Sequence, residues 1–391
     1  MKNISIIIPT YNFVEIAGEV INAVIGQTYP ASEIIIIDSS ENNEIASFVE
    51  KLESKIPIIY KKYKRLFPGE ARNKGVELSK HEFIGFIDSK TVPKKIWLEE
   101  NIKYLETNHT RVVFGNTQYH AKTDFQMCVK ACTYGNYPIE TTPGTLISRE
   151  DFENIGSFQE KIRTGDDLAW RLKVKSTNLK WATPKVVTLL YSQLENNLLS
   201  TIKRFFTYQI SASSLEIQNT PRNIFLAIMM ILTSIIILQW NAIIGWEDNF
   251  LYIPNITKIY TLLVLAISLG IFLIDKNFIK DTLGSFFAIS YKLLIIITFL
   301  VVAFYWNGRI ANWAENSILY IPHITKIYLI SIFGVSFFYR GLYFPLSHGI
   351  LIKDLLPFWW LKVGMIGVIL DIAKAPGYIL GALMKLKNSG K

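Results

Sequence analysis

Phe83-Ile84-Gly85-Phe86-Ile87-Asp88-Ser89-Lys90 is an apolar run that ends abruptly in a carboxylate. The run reads as a buried strand, and open parallel sheets bind ligands in the crevice outside the carboxyl ends of their strands. Asp88 is therefore expected where a ligand would lie. A carboxylate in that place serves a metal-bound diphosphate or a ribose. Taken alone it is better explained by a turn, or by a helix cap ahead of Pro93. The flanking segments decide.

Ser5-Ile6-Ile7-Ile8 is a β-branched run stopped by Pro9-Thr10-Tyr11-Asn12, which predicts a buried strand ending in a polar loop. Ile16, Val20, Ile21, Val24 and Ile25 then recur at helical spacing until Gln27-Thr28-Tyr29-Pro30 breaks the pattern. Ile34-Ile35-Ile36-Ile37 repeats the first strand, ends in Asp38-Ser39-Ser40, and feeds a second helical stretch. Pro57-Ile58-Ile59-Tyr60 supplies a third strand, and Gly69-Glu70-Ala71-Arg72-Asn73-Lys74-Gly75 leads through a helix to the Asp88 strand. Strand alternating with helix implies an α/β fold on a parallel sheet, with polar residues collecting at the strand ends.

The chain has 391 residues, 50% of them hydrophobic, and its composition breaks near Pro221. Of the net charge of +9, residues 1–222 carry +3 and the far more apolar residues 223–391 carry +6. A basic excess in the apolar half favours anionic lipid headgroups over nucleic acid as partner. Cys128 and Cys132, the only cysteines, sit one helical turn apart and read as buried reduced thiols. Leu199 to Leu215 suits an amphipathic juxtamembrane helix, and Ile224 to Ile244 carries no formal charge over a length that matches a bilayer. Tyr252-Ile253-Pro254-Asn255-Ile256-Thr257-Lys258-Ile259-Tyr260 returns as Tyr320-Ile321-Pro322-His323-Ile324-Thr325-Lys326-Ile327-Tyr328. That repeat leads to an expectation of four transmembrane helices in two hairpins, at about 224–245, 259–275, 289–310 and 327–345. A fifth span at 350–372 is rejected because Lys362 would sit in mid-bilayer, leaving an in-plane helix with Trp359 and Trp360. The expected organisation is a catalytic domain over 1–198, a linker over 199–222, spans over 223–345 and an interfacial amphipathic segment over 346–391. With no leader read ahead of the first strand, the catalytic domain is expected on the cytoplasmic side of a multi-pass plasma-membrane protein.

Four separated segments together resemble the family 2 glycosyltransferases, inverting nucleotide-sugar enzymes with the GT-A fold. They are Ile8-Pro9-Thr10-Tyr11-Asn12, the strand-end Asp38, Ala71-Arg72-Asn73-Lys74-Gly75, and Gly165-Asp166-Asp167-Leu168-Ala169-Trp170-Arg171. A fifth point of contact is Asp88, near the family's Asp-x-Asp. The likeness covers about residues 1–190 and implies a GT-A domain followed by an all-α membrane region. It implies donor binding by Pro9, Thr10, Tyr11, Asp38, Arg72, Asn73 and Asp88, and catalysis by Asp167 as general base beside Asp166; Lys90 joins the donor set by its charge and not by the resemblance.

Two positions depart from the family. Ser39 stands where many members have a second acid after Asp38. Lys90 replaces the second Asp of Asp-x-Asp, and an ammonium group cannot ligate a divalent cation. Either Asp88 holds Mg²⁺ or Mn²⁺ with help from water, diphosphate and other residues such as His120, or Lys90 itself supplies positive charge at the phosphates. The expected activity is sugar transfer from a nucleotide-diphospho-sugar to a lipid-linked acceptor in envelope polysaccharide or glycolipid synthesis. The loops Tyr134-Gly135-Asn136-Tyr137-Pro138 and Thr141-Thr142-Pro143-Gly144-Thr145 would face the acceptor. Transfer directly onto a polyprenyl phosphate, or an inactive membrane scaffold of the same fold, are the alternatives. A homo-oligomer is left open.

Overall fold

The structure, a computed structural model, describes residues 2–12, 14–215, 334 and 336–389. The opening isoleucine run becomes β1 (Ile4–Thr10), followed by α1 (Val14–Ile25), β2 (Glu33–Asp38), α2 (Glu44–Glu50), β3 (Ile58–Lys62), α3 (Pro68–Leu78) and β4 (Phe83–Phe86). β1 lies between β2 and β4, and β3 flanks β2, all in parallel. Side chains alternate across the sheet. Ile6, Ile8, Ile34 and Ile36 join a core with Val20, Ile21 and Val24 of α1, whereas Ile7, Ile84 and Phe86 join another with Phe152, Phe158 and Trp170. Both faces are covered, which is why these strands carry unbroken apolar runs. Each such side chain contributes roughly 1.5–3 kcal/mol by its burial.

The parallel arrangement stops at β4. The chain continues as β5 (Thr91–Pro93), α4 (Trp97–Thr107), β6 (Val112–Tyr119), α5 (Asp124–Thr133), β7 (Ile139–Ser148), α6 (Arg149–Ile155), α7 (Asp166–Lys175), β8 (Trp181–Ala182) and β9 (Leu189–Tyr191). These strands extend the sheet as β4-β7-β6-β9-β5, with β8 beside β6. β7 runs antiparallel to both β4 and β6, because α5 returns the chain to the edge it left. The purely parallel sheet implied by the first βαβ units is thus a mixed one.

Beyond β9, Asn197 caps α8 (Leu198–Ser214) by accepting from the Ser200 amide. Near the C-terminus a π-helical turn over Tyr339–Tyr343 continues into α9 (Phe344–Ser347), α10 (Ile352–Leu355) and α11 (Trp359–Ser389). Residues 338–391 belong to the same compact unit as residues 1–219. Val363 and Leu370 of α11 bury against Cys128, Ala131 and Cys132 of α5, and both cysteines are free thiols. Gly377 approaches α8 so closely that a Cβ there would stand 2.9 Å from Gln209 Cβ.

The expected region of four transmembrane helices needs correction. Among the described residues one helix, over Trp359–Gly381, is long and apolar enough to cross a membrane, with a mean hydropathy of 1.6. The window overlaps residues 350–372, read from the sequence as an in-plane helix, and Lys362 stands near its start. Of the expected span 327–345, the described end is a π turn whose Gly341 packs against Trp360 and Gly364 of α11. The expected spans 224–245, 259–275 and 289–310 lie outside the described residues.

Candidate active site

The crossovers place β2 and β3 on one side of β1 and β4 on the other, so the direction of winding reverses between β1 and β4. The crevice at the carboxyl end of such a reversal is where open α/β sheets take nucleotides. Thr10 ends β1, Asp38 ends β2, and Asp88 follows β4 after Ile87, whose amide still bonds Ile7 O at 3.1 Å. The Asp88 carbonyl accepts from the Thr91 amide at 3.0 Å, which makes Asp88 the first residue of a turn that carries Lys90.

Arg72 of α3 organises one side of the crevice. Its Nη2 donates to Asp88 Oδ1 and its Nη1 to Asp166 Oδ2, each at 2.6 Å. Burial works to lower the basicity of this guanidinium, but Asp88, Asp166 and Asp167 together raise it above its ordinary value. Gly69, one turn earlier, is small of necessity: a Cβ would stand 2.5 Å from Gln159 O and 3.1 Å from Asp166 Oδ2. Asn73 grips the same loop, donating to Phe158 O at 2.9 Å and accepting from the Phe158 amide at 3.0 Å. Arg72 and Asn73, both expected at the donor, are thus spent on protein partners that tie α3 to the acidic pair.

Asp166 and Asp167 open α7, where the helix dipole favours negative charge. Asp166 is buried, and burial pushes its carboxyl up to about 6 in spite of the adjacent Arg72, with Asp167 and Asp88 adding to the rise. Asp167 is half-buried, and its carboxylate takes no hydrogen bond or ion pair among the described residues. Thr142 of β7 fixes the backbone beneath it, donating to Asp167 O at 2.7 Å. The pair therefore divides into a buried carboxylate locked by Arg72 and a neighbour left for other work.

Across β1 the polar residues form a second cluster. Asp38 is fully buried; its Oδ1 accepts from Thr10 Oγ1 at 3.1 Å, the Ser40 amide at 2.9 Å and Ser40 Oγ at 2.5 Å, and its Oδ2 from Tyr60 at 2.7 Å. Burial and this carboxylate hold the Tyr60 phenol well above its ordinary range. Sequence reasoning missed Tyr60 and Ser40. Ser40 was recoverable, since an acid two residues ahead of a serine is an Asx-turn signature, but nothing local marks a tyrosine that acts across strands. Pro9 pairs in register with Ile37, and Tyr11 is exposed, its hydroxyl 3.4 Å from Glu41. The Ser39 hydroxyl is buried without a hydrogen-bond partner among the described residues.

Lys90 is half-buried on the turn after Asp88. Burial lowers its basicity, and Arg204 of α8 and Arg163 lower it further against a smaller opposing effect of Glu195. Arg204 is itself engaged by Tyr191, Gln193 O and Glu195. Asp88 remains 35% exposed with its Oδ2 outside the Arg72 bond, and no group of three His, Cys, Asp or Glu side chains gathers to cage a metal among the described residues. His120 is exposed just past the end of β6. One carboxylate oxygen beside a diphosphate suits Mg²⁺, which keeps waters and shares its shell with substrate phosphates.

Residues 5–158 match the family model described as Glycosyl transferase family 2. An uncharacterized glycosyltransferase, RC0461 of Rickettsia conorii, is 30% identical over 191 residues, 45% of this chain and 30% of that protein. The UDP-Glc:alpha-D-GlcNAc-diphosphoundecaprenol beta-1,3-glucosyltransferase WfaP of Escherichia coli is 30% identical over 126 residues, 32% of this chain and 49% of that protein. The solved structure of S. aureus TarS 1-349 in complex with UDP-GlcNAc aligns with a TM-score of 0.41 at 18% identity, over 56% of this chain and 67% of that one. The chain spans about 30% of the length of the Rickettsia relatives it matches. Residues 5–158, which hold the winding reversal together with Arg72 and Asp88, are thus similar to a family 2 glycosyltransferase catalytic domain with a GT-A-like fold, the domain of a sugar-transferase enzyme.

Proposed function

We propose that the protein is an inverting glycosyltransferase that moves a sugar from a nucleotide-diphospho-sugar to a lipid-linked acceptor at the cytoplasmic membrane face, in envelope polysaccharide or glycolipid synthesis. The observation that carries this reading is the division of labour in the acidic pair: Arg72 locks Asp166 while the adjacent Asp167 carboxylate stays uncommitted. Asp167 takes the proton of an acceptor hydroxyl as its oxygen bonds the anomeric carbon. The bond from that carbon to the diphosphate breaks on the opposite face, so the configuration inverts and the nucleoside diphosphate leaves with the electron pair. Lys90, on the turn after Asp88, offsets the charge that builds on the leaving group. A divalent ion, when bound, would be held by Asp88 and would add Lewis-acid charge at the same phosphates. Thr10, Tyr11 and Asp38 line the nucleoside side, where Tyr11 offers an exposed ring for stacking.

The lipid acceptor draws support from the relative whose name gives a diphosphoundecaprenol-linked acceptor and from the apolar helix Trp359–Gly381. Membranes carrying the protein, incubated with labelled nucleotide sugars and a lipid extract, test the reading. Product of a mass equal to acceptor plus one sugar supports it. A product on bare polyprenyl phosphate replaces the acceptor, and no turnover with any donor overturns the assignment in favour of a scaffold.

A further inference from the structure

α11 is the one described helix of membrane-spanning length, yet its surroundings are not those of a span. Asp371 and Lys374 stand near the middle of its apolar stretch. Asp371 is held by Arg340 of the π turn through two bonds of 2.8 and 2.6 Å, and Lys374 lies 3.6 Å from the same carboxylate and 4.8 Å from the Phe205 ring of α8. Arg340 also donates to Cys132 O of α5 at 3.1 Å. One side of α11, through Val363, Gly367, Leu370 and Ala375, is therefore buried in the unit that carries the sugar chemistry.

The opposite side is largely apolar, exposed towards both ends of the helix and half-buried between them. Phe358, Leu361, Lys362 and Met365 follow one another at the spacing of a single helical face, with Phe358 72% and Met365 63% exposed. Leu351, Ile352 and Leu356 of the preceding elbow are also exposed, along with Lys353 and Asp354. Leu380 and Leu383 continue the exposed apolar surface two turns before the helix ends. Lys353 and Lys362 are exposed beside this face against Asp354 alone, so the charge around it is complementary to anionic headgroups.

We propose that α11 lies in the plane of the membrane rather than through it, with Phe358, Leu361, Met365, Leu380 and Leu383 sunk into an anionic lipid surface. A helix of this kind buries its apolar face at the boundary of headgroups and acyl chains and keeps its charges on the other side. The elbow also reaches the expected acceptor loop. The Asn136 amide donates to His348 O at 2.8 Å, and Asn136 Nδ2 donates to Gly349 O at 3.2 Å. The elbow that precedes α11 is thus hydrogen-bonded to the Gly135–Tyr137 loop.

The test is depth, read without sugar transfer, so its failure leaves the catalytic reading untouched. Full-length protein, with Cys128 and Cys132 replaced by alanine, receives one cysteine at a time: Leu361→Cys, Met365→Cys, Leu380→Cys and Leu383→Cys. Each carries an environment-sensitive fluorophore and is bound to vesicles of phosphatidylcholine mixed with phosphatidylglycerol containing quencher lipids of graded depth. Four shallow labels at similar depth are expected. Labels at 365 and 380 on opposite leaflets, with a deep position between, would show a span, and labels untouched by any quencher would show that protein covers this face; either result overturns the assignment. Lys353→Glu with Lys362→Glu should weaken the quenching on anionic vesicles by roughly fivefold per charge removed, and leave it unchanged on pure phosphatidylcholine.

Discussion

Arg72 and Asp166 form an ion pair at 2.6 Å between side chains only 2% and 3% exposed. A pair so far from water is costly to assemble and more costly to break, because either partner alone is an uncompensated buried charge. Arg72→Ala should therefore lower unfolding free energy by about 3–5 kcal/mol. Arg72→Lys should recover little, since an ammonium group lacks the fork that reaches Asp88 and Asp166 together. Chemical denaturation of the two variants checks this, and a loss below about 1 kcal/mol would place the pair among weak surface bridges.

Asp166 also sets a pH dependence of unusual sign. Its carboxyl rises from an ordinary 3.8 to about 6, because burial outweighs Arg72 and three carboxylates share one guanidinium. Between those values the folded protein keeps a proton that the unfolded chain releases, so this residue's contribution is greatest below about pH 4 and is lost as the pH rises through 6. Unfolding free energies of wild type and Asp166→Asn across that window should diverge as pH rises, with the wild type losing the more. A difference that stays flat with pH defeats the assignment.

Asp167→Asn should leave donor binding intact and lower turnover by roughly 10² or more, the scale of acid–base assistance. The readout is donor affinity by titration beside the rate of product formation. Near-normal turnover would remove Asp167 as the base.

How far these roles were legible depended on how local their causes are. The isoleucine runs of β1 and β2 announced themselves because both their faces are buried. β7 did not: Thr141-Thr142-Pro143-Gly144-Thr145 reads as turn formers, yet it lies inside a ten-residue strand. Gly144 at φ +89° and a register irregularity beside Gly115 bend that strand, and the Gly144 carbonyl takes bonds from Trp97 and Asn101. Its threonines satisfy one another and Asp167 from within the sheet. The residues at strand ends were found from the sequence, but Arg72 bonds an acid 94 positions away, a partnership that only tertiary packing creates.

Lys90 should act as a cation for the donor. It stands on the turn that begins at Asp88, so Lys90→Ala should weaken donor affinity by about tenfold, near 1.4 kcal/mol, with turnover at saturation changed less. Lys90→Asp should make activity more dependent on added Mg²⁺ or Mn²⁺. Donor affinities of wild type and both variants, measured with and without EDTA, decide it. Complete loss of wild-type activity in EDTA together with an unaffected Lys90→Ala would assign the phosphates to metal alone.

The unit that holds the active site is built from two separate stretches of chain, residues 1–219 and 338–391. On the ribosome the first stretch emerges with the faces of α5 and α8 uncovered, and α11 reaches them only after some 170 further residues. At ordinary elongation rates that interval is on the order of ten to thirty seconds. During it the nascent domain displays the apolar surface that α11 will later close, an invitation to chaperones or to the membrane itself. A stop codon anywhere before α11 would extend that exposure to the lifetime of the molecule, so loss of the last fifty residues should be read out as degradation or aggregation before any defect in chemistry can be measured.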